Sequence, residues 1–347
     1  MRRLLVVFLL IIFVCSAYSQ TSEERSLRPA INDFVYRDGW LYICIAEPNV
    51  QHRYMLCRIK LSDLKTETIY RNGPHITLVA VVNDFLFSRS NGGLYKQSII
   101  DVKKNPINNN KEIHLKKDKS NRNSIDNVIL FNNRIYYSQP IDTIADNSKA
   151  VYNICSMNID GSDDKKLTGR YYNKNFCIYK GMIFARNYNS AEIEKLDIKG
   201  NQIDNYGNIG YGYFDVYNDC IYYLDNDYSH EISTLYKIDT NTKKKQLIKG
   251  NPFIILNPVI SNNHLIFNTK KQYLQRSGSS YNIASLGDLY SINLESGERK
   301  NICPERLCAL YDVYNGIIYC KEFVDGNIRE FQINIDGTDE KAVKLFW

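Results

Sequence analysis

The chain has 347 residues, 44% apolar and 24% charged, and a formal net charge of +6. That composition is globular and excludes a disordered chain; it leaves room for one large domain or two ordinary ones. So mild a charge also argues against a dedicated nucleic-acid surface, which needs a clustered basic stripe; the richest basic stretch, residues 111–122 with Lys116, Lys117 and Lys119, reads as a solvated loop.

In chain order, the first element is a targeting segment. Met1-Arg2-Arg3 supplies a positive start, Leu4 to Val14 is an unbroken apolar run, and Ala17-Tyr18-Ser19 offers small residues for cleavage before Gln20. The run falls short of the roughly 20 residues a spanning helix needs, so residues 1–19 read as a signal peptide and the mature protein as secreted, with no membrane span. An uncleaved anchor is the competing reading. Residues 20–30 are polar and form an irregular lead-in, and residues 31–347 form the domain proper.

From residue 31 one phrase recurs: a short apolar run, a two-residue turn, then an aliphatic and an aromatic residue at fixed offsets. The seven turns are Asp38-Gly39, Asn83-Asp84, Asn132-Asn133, Lys180-Gly181, Asn218-Asp219, Asn262-Asn263 and Asn315-Gly316. Asn, Asp and Gly tolerate the positive φ of a type I′ turn between antiparallel strands. Two residues after each turn stands Leu41, Leu86, Ile135, Ile183, Ile221, Leu265 or Ile318. The next residue is Tyr42, Phe87, Tyr136, Phe184, Tyr222, Ile266 or Tyr319. Neighbouring apolar residues on a strand point to opposite faces, so these strands are covered on both sides.

A third strand follows each pair, as in Leu56-Cys57-Arg58-Ile59, Leu235-Tyr236-Lys237-Ile238 and Glu330-Phe331-Gln332-Ile333. It ends in turns such as Lys199-Gly200 or Asp336-Gly337, and a short fourth strand closes the unit, as in Lys165-Lys166-Leu167-Thr168. Unit four, near residues 174–208, is the shortest and its fourth strand is weak. A period of about 46 residues with four short strands predicts an all-β fold: a single β-propeller of four-stranded antiparallel blades. Seven turns give seven blades, with six blades and one irregular unit as the alternative.

Ile135-Tyr136-Tyr137, followed by Met157-Asn158-Ile159-Asp160-Gly161-Ser162 and Lys165-Lys166-Leu167-Thr168, resembles the YWTD-type repeat of low-density-lipoprotein-receptor-related propellers, and TolB-type repeats. The likeness is closest to secreted, receptor-related-protein-1-like propeller domains of unknown function. It covers residues 31–347 at the level of the repeat. The Trp-Thr-Asp part of the receptor signature is absent, with Tyr137-Ser138-Gln139 and Tyr223-Leu224-Asp225 in its place. The resemblance implies a fold and a habit of binding proteins or peptides; it does not carry over a ligand.

Catalytic signatures are missing. The five histidines, His52, His75, His114, His230 and His264, do not stand at metal-ligand spacing. No Gly-x-Ser-x-Gly elbow or phosphate-cradling loop occurs, and no cofactor is implied. Asp225-Asn226-Asp227-Tyr228-Ser229 begins like a calcium loop but lacks the later Gly and the final Glu, so it reads as a hairpin loop. Asp215 and Asp312 occupy equivalent places in two first strands, which line the channel of a propeller. They are candidates for cation binding or acid–base work, against the blander reading of channel-wall hydrogen bonds.

Eight cysteines remain once Cys15 leaves with the leader, and an even number in an exported chain suggests disulfides. Cys44 and Cys57, on neighbouring strands of one hairpin, are one candidate pair. Cys303 and Cys308, in one connecting loop, are another. Cys57 and Cys155 also fill a packing position of the repeat.

Strand alternation puts the first-to-second and third-to-fourth turns on one rim, and the other connections on the opposite rim. The latter are variable and long near residues 139–150 and 271–286, the second of which carries Tyr273, Arg276 and Tyr281. Variable loops on a rigid scaffold, with aromatic and Arg residues, are the usual place for recognition. The expected function is therefore a secreted scaffold that binds an extracellular protein or peptide on this rim through Tyr273, Arg276 and Tyr281. An enzyme with acids in the channel, carbohydrate-active or other, and a structural or self-assembling surface protein are the alternatives.

Overall fold

The structure is a computed structural model. It describes residues 34–46, 54–73, 76–99, 113–116, 125–141, 151–169, 172–269, 287–324 and 327–343, apart from single positions 38, 61 and 83 and the pair 91–92. The named elements are all β-strands, 28 of them, paired antiparallel throughout. Five sheets have four strands each; a sixth has eight, in two runs of four joined only at Tyr152↔Tyr172. The four-strand units cover residues 34–73, 77–116, 126–166, 172–208, 214–251, 255–301 and 308–342, and are numbered one to seven below.

The turns between first and second strands form as the sequence predicts. Asn132 and Asn133 (φ +46° and +57°), Lys180 and Gly181 (+47° and +72°), Asn218 and Asp219, Asn262 and Asn263, and Asn315 and Gly316 all have positive φ at both central positions. That is the geometry whose twist matches the strands on either side. Positions 38 and 83 lie outside the described residues.

The two residues after each turn then divide between the two faces of the sheet. Ile183 packs back onto unit three, beside Tyr136 and Phe176, while Phe184 packs forward onto unit five, beside Phe214, Val216 and Tyr223. The same split holds for Leu86 and Phe87, Ile135 and Tyr136, and Ile221 and Tyr222. Seven hydrophobic clusters result, one at each junction of consecutive units. The last of them joins Tyr319 of unit seven to Leu41, Ile43, Met55 and Cys57 of unit one, so the series closes on itself. All fourteen side chains are buried, each exposing 4% or less. Burying one such side chain stabilises the fold by roughly 1.5–3 kcal/mol, which makes this alternation the main source of cohesion. In unit six Ile266 takes the aromatic's place against unit seven, and Phe267 points back toward unit five.

A second set of contacts ties the units together at the fifth residue after the turn. Arg89 Nη1 donates to the Ile125 carbonyl (2.9 Å), and Ser138 Oγ to that of Lys174 (2.6 Å). Arg186 Nη2 donates to the Gly212 carbonyl. Asn268 Nδ2 donates to the Cys308 carbonyl (3.0 Å), while its Oδ1 accepts from Leu310 N (2.7 Å). Each is a side chain of a second strand that latches backbone leading into the next unit's first strand. Each bond helps to satisfy backbone polar groups between the units.

One expectation changes here. The fourth strand of unit four, Gln202–Asn208, is seven residues long and not weak. Its Tyr206 is buried and stacks on Phe184 at 6.1 Å, which anchors it. The shortest fourth strands are Lys165–Lys166 and Lys341–Ala342, two residues each.

Candidate binding rim

The rim made by the second-to-third and fourth-to-first connections is described best around units four and five. Tyr211 (65% exposed), Tyr228 (73%) and Ile232 (39%) stand there, and Val324 (42%) occupies the corresponding end of unit seven. Of the other exposed large apolar side chains among the described residues, Ile203 and Leu247 are on fourth strands, and Tyr314 is by a turn of the opposite rim. Exposed aromatic surface is therefore concentrated on the rim that carries the longer connections.

The loop bearing Tyr211 is rigidly held. Gly210 takes φ +72° and its N–H donates to Asn208 Oδ1 at 2.8 Å. A Cβ on Gly212 would lie 2.0 Å from the Leu224 carbonyl oxygen, so glycine is required there. Asn208 Nδ2 donates to the Ser190 carbonyl (2.8 Å), tying the loop to the preceding turn of unit four. Arg186 holds the Gly212 carbonyl from below with its guanidinium 5.3 Å from the Phe214 ring, and burial draws its pKa down to about 10.

Tyr228 sits on the hairpin loop of unit five. Asp227 Oδ1 accepts from Ser229 N (3.0 Å), Ser229 Oγ (2.6 Å) and His230 N (3.2 Å), and Oδ2 meets His230 Nδ1 at 2.6 Å. These bonds, Ser229's first, hold the Asp227 carboxyl far below the usual range. With its oxygens committed to an Asx turn, Asp227 caps a hairpin, as the sequence reading preferred to a calcium loop. The Ser, His and Asp together are no catalytic triad either. Ser229 and Asp227 both face the same ring nitrogen, whereas general-base catalysis needs them on opposite nitrogens. Ser233 Oγ, donating to Asn226 (2.6 Å) and accepting from Ile255 N (2.9 Å), fixes this loop against unit six.

Across the junction of units six and seven the charges neutralise one another. Arg306 and Arg329 both bind the buried Glu322 carboxylate, at 2.7 Å, and both reach Glu340. Arg306, then Arg329, holds the Glu322 carboxyl below its ordinary value. Arg306 also lies over the Phe331 ring at 4.4 Å.

The residues singled out from sequence fare unequally. Tyr273, Arg276 and Tyr281 lie outside the described residues. Asp215 is fully buried. Its register partner is Tyr222, so it shares the face that packs on unit six, where Oδ1 accepts from Val216 N (2.8 Å) and Oδ2 from Tyr213 OH (3.4 Å). It is a hydrogen-bonded interior carboxylate, not an acid open to a channel. Asp312 holds the equivalent register opposite Tyr319, two units away; its side chain lies outside the described set. The Cys44–Cys57 pairing does not form. Cys57 pairs with Ile43, so Cys44, one residue on, points to the other face, and the two thiols lie in separate clusters. Cys57 and Cys155 are buried packing residues as expected. Tyr228 stands in the sequence only within a hairpin loop and Tyr211 is not singled out there; the signal for Tyr211 is an aromatic between two glycines, outside the repeated phrase.

With this geometry in view, the chain resembles solved β-propellers. Puromycin hydrolase aligns over 93% of this chain and 54% of its own length, at 10% identity and TM-score 0.59. The chain thus spans about half of that enzyme. An oligogalacturonate lyase in complex with manganese aligns over 89% of both chains, at 8% identity and TM-score 0.56. Sqt1 of Saccharomyces cerevisiae aligns over 92% of this chain and 87% of its own, at 8% identity and TM-score 0.51. At such identities the likeness establishes the β-propeller fold and nothing further. The protein of a nidogen–laminin complex aligns more distantly, at TM-score 0.43 over 74% of this chain, too far to support the receptor-propeller family. No family model matches the chain, and no curated protein does.

Proposed function

We propose that the protein is a secreted propeller of seven four-stranded blades that binds an extracellular protein or peptide on the rim of its longer connections. The observation that carries this reading is the exposure of Tyr211 and Tyr228 on loops whose backbones are held by hydrogen bonds. Tyr brings large contact area at low entropy cost when it is presented rigidly, which is why aromatic anchors dominate binding energetics. Tyr273, Arg276 and Tyr281 extend the same rim in this reading. Secretion rests on the leader at residues 1–19, and the seven-blade count on the repeated turns and the cyclic series of junctions.

The test is affinity capture from the extracellular fluid of the source, followed by Kd measurement with the captured partner. Replacing Tyr211 and Tyr228 together by Ala should weaken binding at least tenfold, since anchor residues contribute about 2 kcal/mol or more each. An unchanged Kd would reject this rim. The likeness to the lyase, end to end, keeps a second reading in play: a carbohydrate-active enzyme using a metal. Among the described residues no group of three His, Cys, Asp or Glu side chains is disposed to hold a metal ion, so any such centre would have to draw on other residues.

A further inference from the structure

The described residues include eight cysteines, and they are unevenly placed. Cys44, Cys57, Cys155 and Cys177 each lie in a different hydrophobic cluster, and Cys220 packs at the edge of a fifth. Cys303, Cys308 and Cys320 share one cluster, at the junction of units six and seven, and all three are buried. Within it, Cys303 and Cys308 lie five residues apart on one connecting loop and enter the same buried cluster.

We propose that Cys303 and Cys308 close a disulfide that staples the connection from unit six to unit seven, leaving Cys320 as a thiol. The backbone already holds the two residues for it. Cys308 exchanges both backbone hydrogen bonds with Gly287 (3.0 and 2.9 Å), and Asn268 holds its carbonyl from the preceding unit. On the other side Ile302 N is bonded to the Leu289 carbonyl (2.8 Å), and the chain turns sharply through Pro304 and Glu305, with φ +63° at Glu305. Both ends of the loop are thus fixed to unit six, and the intervening residues return the two side chains to one buried cluster. Cys320 sits opposite Leu310 on the second strand of unit seven, where burial first, then the neighbouring Cys303, pushes its thiol up.

The chemistry has a direction. The neighbouring Cys308 side chain first, then the charge of Arg306, draws the Cys303 thiol below its ordinary value, while Cys303 and burial push that of Cys308 up. Cys303 is therefore the attacking thiolate. It displaces one thiolate from a small-molecule disulfide such as oxidised glutathione, giving a mixed disulfide. Cys308, losing its proton, then attacks the Cys303 sulfur and expels the second thiolate. Two protein thiols are oxidised, one glutathione disulfide is reduced to two glutathiones, and no further oxidant is needed. The staple spans Arg306, so it also fixes the guanidinium that binds Glu322 and Glu340.

The full chain is equilibrated natively in glutathione buffers from reducing to oxidising, quenched by alkylation and digested with trypsin. Cleavage after Lys300, Arg306 and Lys321 separates Cys303 from a peptide that holds both Cys308 and Cys320. The expected result is that residues 301–306 and 307–321 are recovered as one linked species under oxidising conditions, with fragmentation placing the bond at Cys308. Cys320→Ser keeps the link and Cys308→Ser abolishes it; should Cys308→Ser fail to fold, the fragmentation of the unsubstituted protein decides. Recovery of Cys303 fully alkylated across the series, or linked to Cys320, would overturn the proposal.

Discussion

Asn268 illustrates how single side chains hold this protein together. It is fully buried and uses its amide twice, donating to the Cys308 carbonyl and accepting from Leu310 N. Asn268→Ala would take the Asn268 acceptor from the buried Leu310 N–H, while the Cys308 carbonyl keeps its bond from Gly287 N, so a loss of about 1–3 kcal/mol is expected. Chemical denaturation would show it as a lower midpoint with an unchanged slope. Such residues were illegible in the sequence. Arg89, Ser138, Arg186 and Asn268 do one job with three residue types, and their partners are carbonyls 26 to 40 positions away. Nothing local marks them. Asp215 misled for a related reason: that first strands line a channel says nothing of which face a given side chain takes, and the pairing with Tyr222 decides that.

At the scale of the element, the legible part was local. Dipeptide turns with positive φ and an aliphatic–aromatic pair at fixed offsets need only neighbouring residues, and the structure reproduces them. Register was not legible. Cys44 and Cys57 share a hairpin, but the pairing Ile43↔Cys57 puts them on opposite faces, a difference of one residue that no composition reveals. The turns between third and fourth strands add contacts of their own. A Cβ on Gly200 would meet the Leu167 carbonyl oxygen of unit three at 2.3 Å, and Gly200 has φ +90°. At the matching turn of unit seven, Gly337 has more room, its nearest atom being Ile302 O at 3.3 Å. Gly200→Ala should cost about 2–4 kcal/mol from backbone strain and overpacking, and Gly337→Ala about half that, as urea midpoints would show.

For the whole molecule, every junction uses the same device, and the last junction returns to unit one through Tyr319. A ring built this way keeps its connections on two rims, one of tight turns and one of longer loops. On the tight rim, turns are tied in series: Tyr179 OH accepts from Asp219 N (2.9 Å), Tyr217 OH from Asn263 N (3.0 Å), and Lys180 pairs with Asp219 (2.9 Å). The loop-rich rim instead presents Tyr211 and Tyr228 to solvent. The proposed function was legible only as an asymmetry of loop length, because a binding site on variable loops would have no repeat to betray it. The most direct measurement is amide hydrogen exchange of the protein alone and with its captured partner. The account predicts slower exchange at residues 209–213 and 228–232 and no change at the turns 180–181, 218–219 and 262–263. Protection confined to those turns, with the Tyr211 and Tyr228 loops unaffected, would contradict it.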